Sequence, residues 1–153
     1  MLLKDKNAVI YGAGAGVTTH FLTATAAARH MVRHRSGVIL TLSASSAGLS
    51  RDRKYHLTGG FATACAAIEG LSRSLAGELG PQGIRVVCLR SDAIPETWAG
   101  EADAVKMFME NGTVLGRLPT LNEVANAAVF MASDRASAMT GTIANLTCGS
   151  IMD

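Results

Sequence analysis

One stretch limits the folds open to this chain more than any other: GFATACAAIEGLSRSLAGELGPQGIRVVCLR, residues 60–90. Phe61, Cys65, Ile68, Ser72, Leu75 and Leu79 recur every three or four residues, and Leu71 widens the stripe. That spacing predicts an amphipathic helix whose apolar face is broad enough to pack on a sheet. Gly80 is placed to take the left-handed turn that closes a helix, and Pro81 forbids its continuation. Ile84, Val86, Val87, Cys88 and Leu89 then follow without the alternation of a half-exposed strand, and suit a strand covered by helices on both faces. A helix feeding such a strand implies a parallel α/β sheet.

The same grammar repeats on either side. Residues 7–11 read as a short buried strand running into Gly12-Ala13-Gly14-Ala15-Gly16. Such a loop between a strand and a helix is either a plain tight turn or a place where backbone amides approach a phosphate. Residues 18–35 carry an apolar, alanine-rich helical face ended by Gly37, and the basic cluster Arg29, His30, Arg33, His34, Arg35 complements the dipole at its C-terminus. Residues 38–42 form a second strand. Its tail Ser43-Ala44-Ser45-Ser46 either terminates the strand or supplies a hydroxyl to a site. Beyond Arg90, residues 101–111 predict a short helix, and Thr120-Leu121-Asn122-Glu123 is a capping box opening another whose face is Val124, Ala127, Ala128 and Met131. Residues 140–146 make the last strand. The order β-α-β-α-β-(α)-α-β predicts a three-layer fold with a mostly parallel sheet of about four strands, ordered first to fourth, in a single domain over residues 1–153.

With 153 residues, 48% hydrophobic and 17% charged, the chain can bury one substantial core. A net charge of +2 gives no electrostatic case for nucleic acid or an anionic membrane. Cys65, Cys88 and Cys148 sit in apolar runs without metal-ligand or redox spacing, so buried thiols and no metal are expected. The N-terminal apolar run is too short for a signal peptide and no segment reaches membrane-spanning length, which leads us to expect a cytoplasmic protein.

AAIEGLSRSLAGELGPQGIRVVCLR resembles the active-site helix and following strand of the short-chain dehydrogenases/reductases, and EVANAAVFMASDRASAMTGTIANLTCG resembles their C-terminal helix and strand. TTHFLTATAAARHMVRHRSGVILTLSASSAG is similar to the segment ahead of their active-site loop. The resemblance implies a Rossmann-like fold, NAD or NADP as cofactor, and a small carbonyl or alcohol substrate. It places Gly12, Gly14 and Gly16 in the cofactor loop, with the third glycine of TGxxxGxG falling on Thr18. Ser45 matches the serine that orients the substrate carbonyl. Ile94 and Thr97 fall near the nicotinamide carboxamide, and Trp98, Met107, Phe108 and Met109 in the region covering the substrate. The helices at 18–35 and 60–79 match those that build a four-helix subunit interface, so a homo-oligomer is expected.

Two departures from the pattern matter. The reactive YxxxK positions hold Phe61 and Cys65, and the neighbours Lys54 and Tyr55 do not replace the pair, because adjacent residues of an extended segment face opposite ways. Between the glycine loop and the helix at 18–35, the family's ribose-reading and NNAG units have no counterpart. An oxidoreductase of weak or no activity and a non-catalytic oligomerising or ligand-binding protein, or a deletion remnant, therefore both stay open.

Overall fold

A computed structural model describes residues 3–11, 16–48, 60–100 and 102–153. The element order is β1 (Ala8–Tyr11), α1 (Gly16–His34), β2 (Gly37–Ala44), α2 (Phe61–Leu79), β3 (Ile84–Ser91), α3 (Asp103–Glu110), α4 (Leu121–Ala132) and β4 (Ile143–Leu146). The four strands form one sheet in the order β1-β2-β3-β4, every pair parallel. Register is continuous from Gly37 opposite Ile84 to Ala44 opposite Ser91.

The layers follow from which residues alternate to which face. Ile39 of β2 and Ile84 and Val86 of β3 pack against Ala24, Ala28 and Met31 of α1 and Leu75, Ala76 and Leu79 of α2. Val38, Leu40, Val87, Leu89 and Ala144 point the other way, onto Ala128, Met131 and Ala132 of α4. Coverage on both faces explains why β3 shows no alternation in sequence: Val86, Val87, Cys88 and Leu89 all lie at 0–1% exposure. Strand order advances one way throughout, yet the covering helix changes face after β3. The β3-α4-β4 crossover therefore has the opposite hand to the two before it, an exception to the usual uniform hand.

Two helix ends differ from expectation. Gly80 stays right-handed and opens a 3-10 turn over Gly80–Gln82, whereas the left-handed residue is Gly83 (φ 78°). A Cβ at Gly83 would stand 2.3 Å from the Arg35 carbonyl oxygen, so the close approach of two loops decides which glycine turns. At the end of α1 it is Arg35, not Gly37, that is left-handed (φ 48°). Its guanidinium donates to the Pro81 carbonyl at 3.0 Å, which ties it to the same junction and offsets the backbone strain. The capping box at α4 forms as expected: Thr120 accepts from the Glu123 N–H, and Glu123 from the Thr120 N–H at 2.9 Å.

Candidate functional site

The candidate residues gather along the carboxyl edge of the sheet. Gly16 opens α1 beyond β1, Ser45 begins a 3-10 turn directly after β2, Phe61 opens α2 at the same edge, and Ile94 and Thr97 follow β3. In open parallel sheets this is the edge that binds ligands. Gly12, Gly14, Lys54 and Tyr55 lie outside the described residues.

Gly16 is left-handed (φ 72°), and among the described residues nothing lies within 4 Å of where a Cβ would stand there. Ser45 is buried, and α2 packs against its turn. Phe61 is half-buried. Cys65 is fully enclosed against the Ala44 main chain and the Ser43 hydroxyl. Burial pushes its thiol up, so it stays neutral and unreactive. The Thr97 hydroxyl donates to the Ile94 carbonyl within its own 3-10 turn at 2.8 Å. Of the residues expected over the substrate, Trp98, Phe108 and Met109 are half-buried and Met107 is exposed.

Beneath Ser45 lies a polar layer that the sequence reading passed over. Arg90 of β3 grips Glu69 of α2 with both arms, Nε donating to Oε1 and Nη2 to Oε2, each at 2.8 Å. Ser43 donates to Glu69 Oε1 at 3.0 Å. Deeper in, Ser72 donates to the Ile68 carbonyl at 2.7 Å, which leaves Thr41 as donor in the 2.6 Å Thr41–Ser72 bond. Both side chains of the ion pair are under 10% exposed, at 8% for Arg90 and 7% for Glu69. Burial alone would raise the Glu69 carboxyl, but the Arg90 and Ser43 hydrogen bonds outweigh it and hold it below the usual range. Glu69 raises Arg90 in turn. The signal was available. Glu69 lies four residues after Cys65 and three before Ser72, on the apolar face, and Arg90 directly follows an uninterrupted buried run.

Other expectations shift at this edge. β3 continues through Ser91, and Asp92 turns inward, its Oδ1 accepting the Ala93 N–H at 2.8 Å. Cys148 is half-buried, because the apolar run ends at a turn in which Cys148 itself is left-handed (φ 54°). Among the described residues, no group of three or more His, Cys, Asp or Glu is placed to hold a metal ion. No described helix is long and apolar enough to cross a membrane.

The family model described as enoyl-(acyl carrier protein) reductase matches residues 15–150. The chain belongs to the short-chain dehydrogenase/reductase family. It is 36% identical over 126 residues to a 3-oxoacyl-(acyl-carrier-protein) reductase of Chlamydia muridarum, a match covering 82% of this chain and 49% of that protein. It is 34% identical over 145 residues to (+)-borneol dehydrogenase 1 of Salvia officinalis, covering 90% and 53%. The chain thus spans about half the length of these curated relatives. A short-chain dehydrogenase structure from Leptospira borgpetersenii with bound NAD+ superposes with a TM-score of 0.85 at 20% identity, over 97% of this chain and 66% of that one. At that identity the likeness concerns the fold alone, and the fold agrees with the short-chain dehydrogenase/reductase architecture.

Proposed function

We propose that this member of the oxidoreductase family reduces carbonyls weakly or not at all, and that nicotinamide dinucleotides bind it far more weakly than they bind full-length relatives. The observation that carries this reading is Cys65, which stands where the family pattern has lysine and is wholly enclosed. A neutral thiol with no exposed atom can neither hold a ribose nor lower the pKa of a neighbouring acid, and Phe61 has no proton to give to a developing alkoxide. General acid catalysis of this kind is worth about 10²–10⁴ in rate.

A dinucleotide fits the described residues at one end only. Gly16 and the first amides of α1 suit the pyrophosphate, since the backbone is left-handed there and, among the described residues, uncrowded. When bound, NAD or NADP would supply hydride. At the nicotinamide end Cys65 is out of reach and Thr97 spends its donor on Ile94. Calorimetric titration with NADH and NADPH, followed by turnover on small ketones and alcohols, tests the reading. We expect millimolar or weaker binding and no turnover, and micromolar affinity for either cofactor would refute it.

A second reading, an oligomerising α/β module, is favoured by the surfaces of α1 and α2. Phe21 and Leu22 of α1 are 50% and 59% exposed, and α2 exposes the small residues Ala66, Gly70, Ser74 and Gly77, over which a second helix can approach closely. Light scattering across concentrations should then give a dimer or tetramer. A strictly monomeric mass would dismiss it.

A further inference from the structure

The segment after β4, residues 147–153, does not leave the molecule but turns back across the carboxyl edge of the sheet. At the end of β4, the Thr147 N–H and hydroxyl both donate to Asn145 Oδ1, at 3.2 and 2.6 Å. At the end of β3, the Ser150 hydroxyl donates to Asp92 Oδ2. Beyond β2, the Ile151 side chain reaches Gly48, its Cδ1 lying 3.0 Å from where a Cβ would stand there. Asp153 then reaches the α2 side of β3, where Oδ1 accepts from Arg90 Nη1 at 2.5 Å and Oδ2 from Asn145 Nδ2 at 3.3 Å. One segment of seven residues therefore touches all three neighbouring strand ends, over the crevice in which sheets of this kind place their ligands.

We propose that residues 147–153 are a strap that closes this crevice, with Asp153 on Arg90 as its latch. Arg90 is suited to the task because Glu69 holds Nε and Nη2, which fixes the guanidinium plane and leaves Nη1 directed at the strap. Pre-positioning of the donor lowers the ordering entropy of the closed state. The latch is also releasable. The Asp153 side chain is 50% exposed, whereas the Arg90–Glu69 pair behind it is buried, so the strap can lift while the sheet stays intact. A ligand entering between the ends of β2 and β3 must displace the strap, and its apparent affinity falls by the closed fraction.

Hydrogen exchange read by mass spectrometry on the full chain tests this without cofactor or turnover, so its result is independent of the catalytic reading above. Asp153→Asn removes the latch charge and leaves Glu69 on Arg90. The half-exposed ion pair predicts about fivefold faster exchange at Ser150 and Ile151. The Gly48 amide, bonded to the Ser45 carbonyl beneath the strap, should accelerate with them, while residues 84–90 of β3 stay unchanged. Unchanged exchange in the variant would overturn the proposal. So would equal acceleration in β3, which would make Asp153 a support of the whole fold.

Discussion

Replacing Glu69 by methionine leaves the Arg90 guanidinium buried with one carboxylate where it had two. Breaking a buried ion pair by removing one partner costs about 3–5 kcal/mol, because the remaining charge keeps its desolvation penalty. Asp153 still accepts from Nη1, and that contact is half-exposed, which places the expected loss near the lower end, at about 3 kcal/mol. For a chain of this length that corresponds to a fall of roughly 6–12 °C in Tm. Removing both charges with Glu69→Met and Arg90→Met abolishes the penalty as well as the attraction, and the double variant should return to within about 1 kcal/mol of wild type. Urea unfolding followed by circular dichroism on the four proteins of the cycle gives the coupling directly. A loss below about 1 kcal/mol in Glu69→Met, or a double variant as unstable as the sum of the singles, would show that the pair is not desolvated as its burial implies.

Restoring the family pair with Phe61→Tyr and Cys65→Lys should give no turnover with NADH or NADPH and should lower Tm, because an ammonium at a fully enclosed position loses its hydration; a stable, active double variant would contradict the placement of Cys65. Gly83→Ala should destabilise by about 2 kcal/mol or more in urea unfolding, since the new methyl meets the Arg35 carbonyl in a left-handed residue. Glu69 and Asp153 both have lowered folded-state pKa values, so their contribution is present above the ordinary carboxylate range and is lost as pH falls through the lowered values. Stability measured by urea unfolding should hold from pH 8 to pH 5 and drop below about pH 4.5, with a smaller drop in Glu69→Met/Arg90→Met. Thr120→Ala, which removes the cap of α4, should cost about 1 kcal/mol by the same assay.

The sequence by itself determined the alternation of strands and helices, which rests on periodicity and on turn residues acting within a few positions, and that alternation implies a parallel sheet. The cap at Thr120 and the burial of Cys65 were legible for the same reason. The choice of left-handed residues was not. Sequence points to Gly80 at the end of the helical stripe, and only the approach of the Arg35 carbonyl, 48 residues away along the chain, moves the left-handed turn to Gly83. The polar layer at the candidate site was likewise a tertiary decision. Glu69 on an apolar helix face and Arg90 at the end of an apolar strand each look like a surface residue set slightly out of place. Only the packing of α2 on β3 brings them within 2.8 Å and turns two unfavourable burials into one satisfied pair. The return of residues 147–153 over the strand ends has no periodic signature at all, since it depends on Gly48, Asp92 and Asn145 being carried to one edge by three different strands, β2, β3 and β4.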